Sequence, residues 1–201
     1  SAENLLRMAE DIVPQCDVLV LSDYAKGVLT AEMCQALISC ARGASKPVVV
    51  DPKGLDYTCY KGASVITPNR RELGAATGAA VETESEITAT GQSLMAQLAI
   101  DALLVTRSRH GMTLLTADGR IEHLPTRARE VFDVSGAGDT VVATLACALA
   151  SGVDLAEASA LANLAAGVVV AKSGTAVVFA ADLLHAVRAG DLSSSEAKIV
   201  P

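Results

Sequence analysis

Residues 133–139 read Asp-Val-Ser-Gly-Ala-Gly-Asp and run through Thr140 into an apolar stretch, Val141 to Ala150. Two glycines flanking one small residue let the backbone turn tightly and leave successive N–H groups pointing outward. A helix that starts there adds its own unpaired N–H groups and the positive end of its dipole, which together make an anion site. Asp139 stands at the mouth of that site. An acid beside an anion cradle makes sense if the acid handles a proton while the cradle holds phosphate. An N-capping Asp at an ordinary loop-to-helix turn would read the same over these residues.

Asn69 and Glu72 lie one helical turn apart just after a short apolar run. A carboxamide and a carboxylate so placed can organise Mg2+ through bound water, because that ion keeps much of its hydration. The pair reads equally as a capping box. Polar residues also close each short apolar run: Ser22 and Asp23, Asp51 to Lys53, Thr67 to Asn69, and Thr106 to Ser108. In open parallel sheets ligands bind at the carboxyl ends of the strands, so this clustering points to one composite site.

The elements that must position these residues alternate between helix and strand. Helical spacing covers Ser1 to about Val13, Ala31–Arg42 after an N-capping Thr30 and before a terminating Gly43, about Arg70 to Thr77, and Glu84 to Ala99. Three more helices follow the 133–139 loop, one to about Ser151, then Leu155–Ala171 and Ala181–Ala189. Strands are expected at Asp17–Leu21, Pro47–Val50, Ser64–Ile66 and Ala102–Val105. A hairpin pairs Met112–Thr116 with Arg120–His123 around Ala117 to Gly119. Short apolar strands alternating with helices predict an α/β fold, a mostly parallel central sheet covered on both faces. We read residues 1–190 as one domain and the polar, Ser-rich stretch 191–201 as a tail or linker.

Composition narrows the function classes. Of 201 residues, 51% are hydrophobic, with three Tyr, two Phe and no Trp, which suits small aliphatic side chains packed closely on a sheet. A net charge of −7 without a Lys/Arg cluster gives nucleic-acid or anionic-membrane binding no electrostatic footing. The longest apolar runs are too short to span a bilayer. Five cysteines without a Cys-x-x-Cys pair suggest buried thiols in a reducing cytoplasm, and the three histidines show no ligand spacing. No Gly-x-Gly-x-x-Gly follows the first strand, which argues against a dinucleotide-dependent oxidoreductase. Glu3, Arg7, Glu10 and Asp11 interrupt any signal-peptide pattern. The chain opens on Ser1 within helical spacing, so a preceding segment is expected.

The 133–139 segment resembles the Asp-Thr-x-Gly-Ala-Gly-Asp signature of the ribokinase-like (PfkB) carbohydrate kinases, with Val134 in place of Thr. That resemblance implies a ribokinase-like three-layer fold and ATP-dependent phosphorylation of a sugar hydroxyl. Asp139 would be the base, and the Gly136, Ala137 and Gly138 amides the anion hole. Asn69 and Glu72 match the family's Asn-x-x-Glu, which implies Mg2+ held through water. Thr106 and Gly111 resemble its Thr-x-x-x-x-Gly turn against the nucleotide phosphates; Arg107 or Arg109 could add charge there or be simply solvated. Asp133 and Ser135, with the loop 171–175, match the segments that hold a monovalent cation such as K+. Asn163 falls where the family places an Asn near the adenine, on a helix whose small residues also read as close packing.

Within the family, residues 22–27, 51–54 and 67–69 are similar to the kinase half of bifunctional heptose-phosphate kinase/nucleotidyltransferases of lipopolysaccharide synthesis. This implies D-glycero-D-manno-heptose 7-phosphate as acceptor and the 1,7-bisphosphate as product. Asp23 and Lys26 would then serve the substrate and Lys53 the ATP phosphates, although a solvated lysine is the default reading of either. The family's first portion, with its sugar-binding residues and β-stranded lid, has no counterpart in this chain. The alternative is therefore a nucleotide-binding module without kinase activity. The lid often mediates dimerisation in the family, which leaves a homodimer open, and the tail would suit a linker to a nucleotidyltransferase domain.

Overall fold

The computed structural model describes residues 2–126, 133–172, 174 and 176–191. Its helices are α1 (Ala2–Ile12), α2 (Ala31–Gly43), α3 (Arg70–Thr77), α4 (Glu84–Leu98), α5 (Ala137–Ala150), α6 (Leu155–Val170) and α7 (Ala180–Ala186). Its strands are β1 (Leu19–Ser22), β2 (Val48–Asp51), β3 (Val65–Ile66), β4 (Ala102–Thr106), β5 (Met112–Thr116) and β6 (Ile121–Leu124). They form one sheet in the order β1-β2-β3-β4-β5-β6. β1 to β4 run parallel, with Val49 opposite Val65 and Val65 opposite Ala102; β5 and β6 add an antiparallel hairpin at one edge.

Because side chains alternate along a strand, each buried strand feeds two cores. Val48 and Val50 of β2 and Leu103 and Val105 of β4 face one core with residues of α2, α3 and α4, such as Leu37, Leu73 and Leu94. Val49 and Leu104 face the other, with Val141, Leu145, Ala158 and Ala162 of α5 and α6. The alanines let α5 and α6 approach closely, so the sheet is sandwiched as the alternating pattern predicts. This layering holds all four parallel strand ends on one edge of the sheet, beneath the start of α5.

Local signals act largely as expected. The Thr30 hydroxyl accepts the Met33 amide at the start of α2. Gly43, expected to end α2, instead lies in its last turn. The chain leaves through Ala44, and Ser45 takes the left-handed conformation at φ 57 while its amide and that of Lys46 bond back to the carbonyls of Arg42 and Ala41. Most of the expected tail, residues 192–201, lies outside the described residues, as do Ser173 and Thr175 of the expected cation loop. Among the described residues no helix is long and apolar enough to cross a membrane. All five cysteines are free thiols, but of these only Cys34 is buried as expected; Cys16, Cys40 and Cys59 are partly buried and Cys147 is exposed.

Candidate active site

Gly136 precedes α5 at φ 77, ψ 2, a left-handed conformation that a Cβ would strain. The Ala137 amide closes a turn onto the Val134 carbonyl at 3.2 Å, and the Thr140 amide reaches the Gly136 carbonyl at 2.9 Å. Among the described residues, the amides of Gly138 and Asp139 meet no acceptor, as the first turn of a helix dictates. A Cβ built on Gly138 would meet nothing within 4 Å, so the start of α5 is open on that side. Of the three amides expected in the anion hole, that of Ala137 is thus already engaged. Those of Gly136 and Gly138 meet no acceptor among the described residues, and the amide of Asp139 joins them.

Asp139 borders a cavity of about 310 Å³ that crosses the carboxyl ends of the parallel strands. β1 brings Asp23 and Tyr24 to it, and β2 brings Asp51 and Lys53. β3 leads into Thr67 and Asn69, α3 adds Glu72, and β4 ends on Thr106. Larger hollows of about 580 and 630 Å³ lie beside Asp101, at the opposite ends of the strands. Size alone would favour those, but the convergence of carboxylates, a lysine and a helix start selects the smaller cavity.

The Asn69–Glu72 pair is a complete capping box: the Glu72 amide donates to Asn69 Oδ1 and the Asn69 amide to Glu72 Oε2, each at 2.9 Å. The other carboxylate oxygen, Oε1, takes Lys53 Nζ at 3.0 Å. The cap and the cavity wall are therefore the same two side chains, and the two sequence readings are compatible. Hydrogen bonding and charge attraction from Glu72 push the Lys53 amine above its usual range. Thr106 is held by its amide, which donates to the Pro68 carbonyl at 3.0 Å.

Burial, then the neighbouring charges of Glu72 and Asp139, pushes the Asp51 carboxyl up to about 6. Four carboxylates around one cavity repel each other, a repulsion that a bound cation would relieve. No three His, Cys, Asp or Glu side chains among the described residues converge as a direct metal cage. The arrangement fits an ion that keeps its water shell, with Asp51, Asn69 and Glu72 as outer partners.

Other expected residues lie elsewhere or are otherwise occupied. Asp23 engages both oxygens internally, Oδ1 accepting the Ala25 amide at 2.7 Å and Oδ2 the Tyr60 hydroxyl at 2.6 Å. Lys26 is exposed on the same loop and does not border the cavity. A Cβ at Gly111, where φ is 81, would fall 1.9 Å from the Leu124 carbonyl oxygen. That glycine therefore permits a backbone crossing at the exit of β6. Arg107 is buried, donating to Glu84 at 2.6 Å and to the Met112 carbonyl at 3.3 Å, whereas Arg109 is exposed. The buried Asn163 donates to the Pro125 carbonyl at 2.7 Å. Asp133 accepts the Ser135 amide at 2.8 Å, which holds its carboxyl below the usual range.

Two polar residues of the cavity, Asp51 and Tyr24, carry no individual role in the sequence reading. Asp51 carried a signal, as the acid closing an apolar strand. Tyr24 carried none: its hydroxyl meets Asp139 Oδ1 at 3.3 Å across 115 residues of sequence.

The sequence matches the pfkB family carbohydrate kinase profile over residues 1–181. It is 57% identical over 197 residues to the "Bifunctional protein HldE" of Paramagnetospirillum magneticum, covering 98% of this chain and 40% of that protein. The protein of the same name from Rhodospirillum rubrum is 52% identical over 199 residues, covering 99% and 40%. The chain thus spans about two-fifths of the length of these relatives. The fold is similar to that of Escherichia coli phosphofructokinase-2 in complex with potassium, with a TM-score of 0.78 at 19% identity over 91% of this chain and 61% of that one. It is also similar to Arabidopsis thaliana ribokinase complexed with ribose and ATP, with a TM-score of 0.73 at 24% identity over 83% and 53%. With its ribokinase-like sheet and a family match across nearly its whole length, the chain belongs to the pfkB family of carbohydrate kinases.

Proposed function

We propose that this chain carries the phosphoryl-transfer centre of a sugar kinase acting on a heptose phosphate, most specifically D-glycero-D-manno-heptose 7-phosphate at its anomeric hydroxyl, with ATP as donor. The observation that carries this reading is that Gly138 and Asp139, at the helix start where amides lack acceptors among the described residues, border one cavity together with Asp51, Lys53, Asn69 and Glu72. The heptose is supported by the identity to proteins named HldE over almost the whole chain.

In this reading the Asp139 carboxylate accepts the acceptor hydroxyl's proton as the oxygen attacks the terminal phosphorus, and the free amides receive charge on the transferred group. Lys53, pivoting from Glu72, offers a point charge to the phosphates. Mg2+, when bound, supplies neutralisation of phosphate charge; Asn69, Glu72 and Asp51 would hold it through water. Asp133 and Ser135 would offer oxygens to a monovalent cation beside the start of α5.

A second reading, nucleotide binding without transfer, is favoured by the two expected substrate residues: Asp23 is spent internally and Lys26 lies off the cavity. A coupled ADP-release assay across phosphorylated sugars separates the two. Release that depends on heptose 7-phosphate supports the kinase; ATP binding in calorimetry with no sugar-dependent release supports the module.

A further inference from the structure

The three tyrosines of this chain, Tyr24, Tyr57 and Tyr60, all lie in the segments that border or support the cavity. Tyr60 follows β2 in a 3-10 turn, Thr58–Tyr60, and its side chain is completely buried. The Tyr57 ring packs edge-on against it, with centroids 5.7 Å apart and planes at 63°, an arrangement favoured by ring quadrupoles. This deeply fixed phenol donates to Asp23 Oδ2 at 2.6 Å, has the Lys53 carbonyl as a second, longer acceptor at 3.3 Å, and accepts the Lys53 amide at 3.3 Å. It thereby ties the loop after β1 to the loop after β2.

Asp23 passes that constraint on. Its other oxygen accepts the Ala25 amide at 2.7 Å, which stabilises Ala25 in a left-handed conformation at φ 52. A non-glycine residue does not hold that conformation without local support. The residue between Asp23 and Ala25 is Tyr24, which is 61% exposed yet donates its hydroxyl to Asp139 Oδ1 at 3.3 Å. Such a length suits a site open to its substrate.

We propose that Tyr60, Asp23 and Tyr24 form a positioning relay for the Asp139 carboxylate. Tyr60 fixes Asp23, the Asp23 turn aims Tyr24, and Tyr24 occupies Oδ1 so that Oδ2 is left to face the acceptor hydroxyl. The proposal rests on the reading of Asp139 as the base. It makes Tyr24 and Tyr60 positioning residues, and gives Asp23 a role in the turn rather than as a direct sugar ligand.

The relay predicts a kinetic pattern that loss of packing does not. Tyr24→Phe and Tyr60→Phe should each lower kcat by roughly tenfold, a fraction of what a general base supplies, while KM for ATP is unchanged. The double variant should be no slower than the slower single one, because both changes break the same chain. An independent arm needs no turnover. With no Trp and three Tyr, tyrosine labelled with 13C at the ring carbon bearing oxygen gives three signals, each identified by its own Phe variant. Tyr60→Phe, Asp23→Ala and Asp139→Asn should each move the Tyr24 signal. A Tyr24 signal unmoved by both Tyr60→Phe and Asp23→Ala overturns the relay. So does an unchanged kcat in Tyr24→Phe when the unmodified chain turns over. If the unmodified chain shows no sugar-dependent turnover, the kinase reading fails, and the labelled signal alone decides the relay.

Discussion

Lys53 Nζ and Glu72 Oε1 meet at 3.0 Å while the second oxygen of Glu72 accepts the amide of Asn69 at 2.9 Å. One carboxylate thus caps α3 and anchors a cationic arm across the cavity. The ion pair is half exposed, so its own contribution to stability is small, up to about 1 kcal/mol. Its value lies in placement. Glu72→Gln keeps an oxygen for the Asn69 amide but loses the charge. We expect stability to change by less than about 1 kcal/mol, while the Mg2+ concentration needed for half-maximal sugar-dependent ADP release rises. A magnesium titration beside thermal unfolding separates the two effects.

Asn69 tests the same helix start from the other side. Asn69→Ala removes the cap and should destabilise the domain by about 1 kcal/mol. Asn69→Ser, another capping residue, should restore most of that stability without restoring activity. Recovery of both together would assign Asn69 to the helix alone.

Asp51 predicts a pH dependence with a definite sign. Burial raises its folded carboxyl from an ordinary value of 3.8 to about 6, so the folded state holds the proton more tightly than the unfolded chain. Between about pH 4 and 6 this group therefore makes stability fall as pH rises, and above about 6 the ionised carboxylate is a fixed penalty. Asp51→Asn should be more stable than the parent at pH 8, with the difference vanishing near pH 4, and it should lose activity. Denaturant unfolding at the two pH values reads this directly. Equal differences at both would contradict the assigned cause.

Gly111 is a steric prediction. Its positive φ and the 1.9 Å approach of a Cβ to the Leu124 carbonyl leave no room for a side chain. Gly111→Ala should cost at least about 2 kcal/mol and loosen the exit of β6. An unfolding midpoint equal to the parent's would show that the crossing relaxes without strain.

Much of the layering was legible because strand and helix periodicities differ, and β2 and β4 each carry apolar residues on both faces. The Asn69–Glu72 pair was legible as a cap, and because the same two side chains border the cavity the cap is compatible with the metal-organising role proposed for them. What sequence could not supply were contacts made across long separations. Tyr60 reaches Asp23 over 37 residues and Tyr24 reaches Asp139 over 115, so neither role leaves a local pattern. Gly111 looked like backbone freedom near phosphate because the approach of β6 is invisible in the chain. Gly43 looked like a helix stop, yet Ser45 takes the left-handed position because carbonyls of α2 hold the following amides.

The central claim is that Asp139 is the base of a phosphoryl-transfer site, and Asp139→Asn tests it with the fewest changes in shape. Sugar-dependent ADP release should fall by at least ~10²-fold, the lower end of what a positioned base supplies, while calorimetry finds ATP binding unchanged. Sugar phosphorylation at the parent rate in Asp139→Asn would contradict the account.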